Sequence, residues 1–413
     1  MKIVMKFGGS SIDDSRKMLK AAKIVADKVK SNDSVIVVVS ALAGVTDNLI
    51  SAAQLSIKDM DSARKIIDNI MLKHLNILNG ISNQALKRLL EDKVRLSIHE
   101  LNNILIGLVN MANVSMDILD NIISFGERLS APIFSNYLVE LGISSKALNG
   151  WEAGIITDEN YGNAHPIPSV NKLIREKVEP IISSGIVPVI TGFIGLSTNG
   201  KITTLGRGGS DYTASLVASS LMVDELWLWT DVDGLMTADP KIVLKAKPIK
   251  YLSYDEAIEL CFFGAKKLHY RTLEPVIDLG IPIRIKNILN PDSEGTLIVK
   301  SKSSPPARAI CVLKGSTVIT IRNIVFHHKP LSITASTLNE KNIKYEDTSM
   351  IAVVGINFLQ YPEILQKVTK LLKSQEVDIQ AIFSLGNSTV LAVSNGFEER
   401  AANLVHDIII GDN

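Results

Sequence analysis

From residue 1 to about 300, short apolar runs rich in β-branched residues alternate with segments of helical period. The pattern predicts strands at Met1–Phe7, Val35–Ser40, Val187–Phe193, Leu226–Val232, Ile281–Lys286 and Thr296–Val299. It predicts helices at Ser15–Lys30, Asp211–Leu221, Asp255–Cys261 and Arg271–Leu279. Strands that read as near-continuous Val and Ile are buried on both faces, so helices must cover both sides of a mostly parallel sheet. The fold class is α/β. Between residues 47 and 141 the alternation stops and the sequence reads as largely helical. That is too long for a connection, so it is expected to be a helical insertion or lid.

The stretch "KSKSSPPARA", 300–309, has no periodicity and holds a Pro-Pro pair, which marks a linker. Beyond it "AICVLKG" and "STVITIRN" read as two short strands. "SMIAVVGI", "PEILQKVTKLLKSQ", "DIQAIFSLG", "STVLAVSN" and "EERAANLVHDII" then give strand, helix, hairpin and helix. That order is a ferredoxin-like α+β unit. The expected domains are 1–300 and 307–413, with the complete unit of the second at about 349–410.

Bulk properties narrow the function. The formal net charge of +1 gives no electrostatic case for nucleic acid or an anionic membrane. The apolar runs "VIVVVSALAG" and "IVPVITGFIGL" are too short to span a bilayer. Cys261 and Cys311 are far apart and suit a reducing compartment, and the first residues form a strand rather than a cleavable leader. A cytoplasmic protein is expected.

The chemistry-bearing motifs sit at strand ends. In "KFGGSS", 6–11, Lys6, Gly8, Gly9 and Ser10 follow one strand and precede a helix. Backbone amides at such a turn can cradle a phosphate, and an ordinary turn explains the residues as well. "TTLGRGGSDYTAS", 203–215, surrounds Arg207 with Gly206, Gly208 and Gly209, then places Ser210 and Asp211 in N-cap position. A turn does not need an arginine there, whereas a carboxylate or phosphate site does. "SFGERLSAP", 124–132, offers Glu127 and Arg128, which alone read as a surface pair. "VVVSALAGVTDNL", 37–49, brings Ser40, Thr46 and Asp47 to a strand's carboxyl end, as ligands for a small molecule or as a helix cap. "WTDVDGLMTADP", 229–240, lacks the register of a calcium loop and reads as a nucleotide-contacting loop. "FFGAKKLHYRTLEP", 262–275, adds Lys266 and Lys267, as phosphate partners or exposed lysines. No HExxH, Cys/His cluster, Walker A, G-x-G-x-x-G or G-x-S-x-G occurs. Repeated glycine plus cation suits phosphoryl transfer, whose catalysis is mostly positioning and charge neutralisation.

Taken in order, these motifs with "GIITD", "TGFIG" and "GTLI" resemble the set found in aspartate kinases of the amino-acid kinase superfamily. The tail resembles their regulatory ACT region. The resemblance implies ATP and Mg²⁺, L-aspartate as acceptor, and 4-phospho-L-aspartate as product, at the start of lysine, threonine and methionine biosynthesis. It implies that Lys6 meets the transferred phosphate and that Asp211 orients Lys6. Gly8, Gly9 and Ser10 would line the phosphates. Arg207 would grip the substrate α-carboxylate and Glu127 the α-ammonium, with Ser40, Thr46, Gly208, Gly209 and Ser210 completing the substrate side. Thr230, Asp231, Met236, Lys241, Lys266 and Lys267 would face the nucleotide. No protein metal ligand is implied.

The chain departs from the family pattern at Met236, where tyrosine is usual, at Lys241, where arginine is usual, and at Tyr270, where proline is common. The segment before Met350 is too brief and polar for a full first ACT unit. Weak or absent end-product inhibition is therefore expected, with a homodimer paired through the tail. Two alternative readings are another kinase of the superfamily and a catalytically weak amino-acid sensor.

Overall fold

The computed structural model describes residues 1–109, 111, 113–264, 268–300, 309–321, 324–328 and 343–411 of the 413. The chain divides into two compact units, Met1–Asp233 with Arg271–Leu297, and Gly234–Tyr270 with Ile298–Asn413.

The first unit opens with β1 (Lys2–Phe7), α1 (Ser15–Lys30) and β2 (Ser34–Val39). Asp14 caps α1 by accepting from the amides of Arg16 and Lys17, and Lys28 and Lys30 in its last turn complement the dipole. The helical stretch is α2 (Val45–Ser56), α3 (Met60–Ile77), α4 (Gln84–Ile106) and α5 (Met116–Glu140). It closes no core of its own: Ile67, Ile77, Leu90 and Leu101 belong to the same apolar cluster as Ile3, Met5 and Val37 of the sheet. There follow β3 (Ser145–Leu148), β4 (Ile156–Thr157), α6 (Val170–Ser183), β5 (Val187–Thr191), β6 (Ile194–Ser197), β7 (Ile202–Thr204), α7 (Gly209–Leu221) and β8 (Glu225–Thr230).

After β8 the chain enters the second unit for β9 (Tyr251–Ser253) and α8 (Tyr254–Phe262), which Ser253 and Glu256 start with a capping box. It returns through α9 (Tyr270–Ile277) and β10 (Ile283–Asn287), and leaves along β11 (Thr296–Val299). In the first unit β3, β5, β2, β1, β8 and β10 lie side by side in that order, all parallel. Helices α1 and α5 cover one face, α6 and α7 the other. Strand order reverses about β1, so the carboxyl end of β1 is where a doubly wound sheet opens a ligand crevice. Lys6 stands there.

One predicted strand is corrected. Val187–Phe193 is not continuous, because Gly192 and Phe193 turn the chain into β6, with Phe193 at φ 68°. An apolar run gives no warning of such a bend.

The second unit's sheet is antiparallel, of order β13–β12–β14–β16–β15. Its elements are β12 (Ala309–Ile321), β13 (Ile324–His328), β14 (Ile343–Val354), α10 (Pro362–Ser374), β15 (Ile379–Leu385), β16 (Ser388–Ser394) and α11 (Glu398–Ile409). The two short strands expected at 309–323 are one strand, β12, with an irregularity between Leu313 and Ser316. The ferredoxin-like order from β14 to α11 is present, and β12, itself paired with β13, adds a strand beside β14 from the amino-terminal side. β14 and β16 are therefore internal. β15 is an edge. Of the segment expected to be an abbreviated unit, 322–323 and 329–342 lie outside the described residues.

The units do not divide at residue 300. Ala238 and Val243 share an apolar core with Ile310, Ile351 and Val405, and the Ile310 amide donates to the Thr237 carbonyl at 2.7 Å. Residues 234–270 thus group with the carboxyl-terminal sheet.

Candidate active site

At the carboxyl edge of β1, a cavity of about 670 Å³ is lined by Lys6, Ser40, Thr46, Glu127, Arg207 and Asp211, among others. Five separate motifs converge on it, all from the first unit. Lys6 Nζ lies 2.6 Å from Asp211 Oδ1, with both side chains mostly shielded from water. The glycines after Lys6 have different duties. A Cβ on Gly8 would sit 3.4 Å from Lys6 Nζ, so Gly8 leaves room for the lysine to fold back. A Cβ on Gly9 would sit 2.5 Å from the Ala41 carbonyl oxygen, so Gly9 admits the neighbouring loop. The Gly8 amide donates to the Trp229 carbonyl at 3.4 Å, and Asp14 already occupies the first amides of α1. The amino end of α1 is thus already capped, apart from the turn at Gly8–Ser11.

Helix α7 differs at its amino end. Its N-cap is Gly208 at φ 75°, with no side-chain cap. Ser210 and Asp211 therefore stand in the first turn, not at the cap as expected, and both line the cavity. A helix that starts uncapped at a cavity attracts anions through its first amides and its dipole. Arg207, exposed at the rim, adds a guanidinium with no ion-pair partner among the described residues. The first turn of α7 packs tightly on the strained bend of the sheet. A Cβ on Gly209 would fall 2.7 Å from Phe193 Cδ2, and the Phe193 amide donates to Thr213 Oγ1 at 3.0 Å.

Glu127, 2% exposed on α5, supplies the opposite charge. Its Oε1 accepts the Ala41 amide at 3.0 Å, while Oε2 is buried without a protein partner. Desolvation raises its pKa to about 8, against the pull of the Ala41 amide and of Lys6. An unpaired buried carboxylate oxygen in a cavity is the natural seat of a cationic ligand group. Ser40 and Thr46 line the same space, and Gly44, at φ 75°, is the N-cap of α2. Thr46 and Asp47 are thus first-turn residues and not caps.

Two supporting residues had no role assigned from sequence: Asp120, which lies in no motif, and Arg271, which lies inside "FFGAKKLHYRTLEP". Asp120, fully buried on α5, accepts from the Gly162 amide at 2.9 Å and from the Thr204 amide and hydroxyl, each at 2.8 Å. Burial raises its pKa. Arg271 on α9 donates to the Leu205 carbonyl at 2.5 Å and to Asn163 Oδ1 at 3.0 Å, and lies 4.4 Å from the Tyr212 ring. Together they hold the wall that carries Gly206 and Arg207. Only the seven-residue spacing of Asp120 and Glu127, two turns along α5, could have hinted at a shared face.

Of the first-unit residues expected to face the nucleotide, Thr230 and Asp231 do not line this cavity. Thr230 ends β8 beside β1 and Asp231 follows it, with Thr230 Oγ1 donating to Asp231 Oδ1 at 3.1 Å. Met236 and Lys241 belong to the second unit. There Met236 bridges Pro248, and the Lys241 amide donates to Asp239 Oδ1 at 3.0 Å. Lys266 and Lys267 lie outside the described residues. Tyr270 is 52% exposed, its ring 4.8 Å from that of His269. Among the described residues no group of three or more His, Cys, Asp or Glu could hold a metal, and no helix is long and apolar enough to cross a membrane.

The sequence matches the amino acid kinase family over residues 1–287. It is 34% identical over 304 residues to "Aspartokinase 1, chloroplastic" of Arabidopsis thaliana, covering 72% of this chain and 52% of that one. It is 32% identical over 335 residues to "Lysine-sensitive aspartokinase 3" of Escherichia coli K12, covering 79% of this chain and 70% of that one. The chain spans about half the length of the Arabidopsis relatives it matches. Among solved structures, E. coli aspartokinase III in complex with aspartate and ADP superposes with a TM-score of 0.82 at 24% identity. That match covers 99% of this chain and 100% of the other, and it extends the shared fold over the carboxyl-terminal sheet. On sequence and fold together, the chain belongs to the amino acid kinase family, among the aspartokinases.

Proposed function

We propose that the protein transfers the γ-phosphoryl group of ATP to the β-carboxylate of L-aspartate, giving 4-phospho-L-aspartate for lysine, threonine and methionine biosynthesis. One arrangement carries the reading. The Lys6–Asp211 pair, the uncapped start of α7 and Arg207 share one cavity with the unpaired Oε2 of Glu127. A zwitterion with a second carboxylate needs one anionic and two cationic contacts, and this is that set.

In this reading Glu127 takes the ammonium and Arg207 the α-carboxylate. The acceptor carboxylate is then directed toward Lys6. Lys6 neutralises charge on the phosphoryl group as the bond to the leaving phosphate breaks, and Asp211 keeps the ammonium aimed there. Mg²⁺ accompanies the triphosphate, held chiefly by phosphate oxygens and water, and screens their charge. Thr230, Asp231, Met236, Lys241, Lys266 and Lys267 are proposed to face the nucleotide, with Gly8, Gly9 and Ser10 beside its phosphates.

The test is hydroxamate formation from L-aspartate, MgATP and hydroxylamine. Activity with glutamate or acetylglutamate but not aspartate would sink the assignment. Arg207→Ala should raise KM for aspartate strongly, since its partner carboxylate is present throughout the reaction. An unchanged KM would remove Arg207 from the substrate site.

We also infer a cytoplasmic homodimer, joined through the carboxyl-terminal sheet. β15 ends that sheet with a half-buried apolar sequence, "IQAIFSL", and an open strand edge of this kind favours pairing with a second chain. Light scattering that returned a monomer mass would overturn it.

A further inference from the structure

We propose that Lys73 is a positioning residue for the transfer step, pinning the turn after β1 to the loop after β2. The inference rests on the reading of the cavity as a phosphoryl-transfer site. Lys73 belongs to α3, in the stretch where the motif pattern falls silent. Its Nζ donates to the Ala43 carbonyl at 2.6 Å and lies 2.5 Å from Asp13 Oδ1. Ala43 stands between Ser40 and Thr46, and Asp13 follows the Gly8–Ser11 turn. One ammonium therefore ties together both segments that flank Lys6.

Those segments need a tie. They meet backbone to backbone, since a Cβ on Gly9 would lie 2.5 Å from the Ala41 oxygen and 3.0 Å from the Ala43 nitrogen. The ladder between β1 and β2 is extended by the Ser40 amide to the Phe7 carbonyl at 3.1 Å. Past that bond the Ala41 amide is held by Glu127 Oε1 at 3.0 Å, and the loop then runs through Gly44 at φ 75°, a conformation glycine adopts without strain. Ser40 and Thr46, on either side of Ala43, both face the cavity. A shift of this loop would move them relative to Lys6, and displacements near 1 Å cost on the order of 100-fold in rate.

The contact is unsuited to a purely stabilising role. The side chains of Lys73 and Asp13 are 32% and 31% exposed, and ion pairs so open to water add little to stability. Removing the ammonium should thus leave a folded protein with a misplaced loop. This also bears on motion: α3 is fastened to the catalytic edge, so the helical stretch braces the site.

The experiment compares Lys73→Met, Lys73→Arg and Asp13→Asn in the full chain. Steady-state rates with L-aspartate and MgATP are combined with backbone hydrogen exchange over 8–13 and 40–46. Lys73→Met should lower kcat by about 10- to 100-fold, change KM for aspartate by less than about threefold, and speed exchange over 40–46. Lys73→Arg should recover most of the rate, because a guanidinium can still reach both partners. Asp13→Asn, which keeps the Ala43 contact, should show a smaller loss. Wild-type kcat in Lys73→Met, or unchanged exchange over 40–46, would overturn the role of Lys73. An inactive wild type, toward aspartate and other amino-acid acceptors, would instead overturn the reading of the cavity.

Discussion

The carboxylate of Asp211, in the first turn of α7, lies 2.6 Å from the ammonium of Lys6 at the end of β1. The pair joins two adjacent layers of the fold, a helix and the strand at the sheet's reversal point. Asp211 cannot be there for charge balance in the complex, since a triphosphate would bring ample negative charge. In the proposed reaction its use is directional: it would hold a flexible lysine at the point of transfer. Lys6→Ala should lower kcat by on the order of 100- to 1,000-fold with a modest change in KM for aspartate. Asp211→Asn, which keeps the shape but weakens the orientation, should cost less. A Lys6→Ala enzyme with a raised KM and an intact kcat would place Lys6 in ground-state binding.

Glu127 gives a prediction with a sign. Burial raises its pKa from the ordinary carboxylate range to about 8, so in the empty site at neutral pH the carboxyl is mostly protonated. An incoming ammonium requires the carboxylate, so binding of aspartate at pH 7 should release a proton. Calorimetry in buffers of different ionisation enthalpy would detect it, and buffer-independent heats would refute it. Stability runs the other way. The folded state holds a proton that the unfolded state has lost between about pH 4.5 and 8, so this group's contribution falls as pH rises through that window. Glu127→Gln still accepts the Ala41 amide but has no such penalty. It should gain thermal stability relative to wild type at pH 8 more than at pH 5, while losing aspartate affinity.

Much of this architecture was legible in the residues. "VIVVV" could only be a strand covered on both faces, and α1 spans Ser15–Lys30 as its periodicity predicts. Arg207 among three glycines pointed to an anion site because a plain turn needs no arginine, whereas Lys6 before two glycines suited an ordinary turn as well. What escaped has a common physical cause. Phe193 sits at φ 68° inside an apolar run, and local pattern cannot report a bend imposed by packing against Gly209. Asp120, Arg271 and Lys73 act through partners at least thirty positions away, at Thr204, Leu205 and Ala43, so no short stretch shows their roles, even that of Arg271 within "FFGAKKLHYRTLEP". The grouping of 234–270 with the last strands rests likewise on long-range contacts such as Thr237 with Ile310.

Gly9 separates steric need from phosphate chemistry. Adding one methyl group there would drive a carbon to 2.5 Å from the Ala41 carbonyl oxygen, an atom of the backbone that cannot rotate away. Gly9→Ala should therefore destabilise by about 1–3 kcal/mol, as overpacking does, and displace the Ser40 loop enough to lower kcat. Gly8→Ala meets only the mobile Lys6 Nζ at 3.4 Å and the Trp229 carbonyl at 3.7 Å, so its stability cost should be smaller. Chemical denaturation of both variants checks the order, and equal losses would show that the Gly9 contact is not the constraint.

Removing the carboxyl-terminal region should damage more than assembly. Ala238 and Val243 pack with Ile310, Ile351, Val353 and Val405, and Thr237 Oγ1 meets His406 Nε2 at 2.9 Å inside that core. On α8, Glu259 accepts the Asn387 amide at 2.7 Å and the Ser388 hydroxyl. A chain cut at residue 306 would thus strip apolar cover and hydrogen-bond partners from both segments proposed to face the nucleotide, those around Met236 and before Lys266. The loss should appear as rapid hydrogen exchange across 234–264 and as a KM for MgATP raised at least about tenfold, if the fragment stays in solution. The Lys6–Asp211 end, whose partners all lie in the first unit, should keep its protection. Unaltered exchange over 234–264 in the truncated chain would show that this stretch holds its shape without the second sheet.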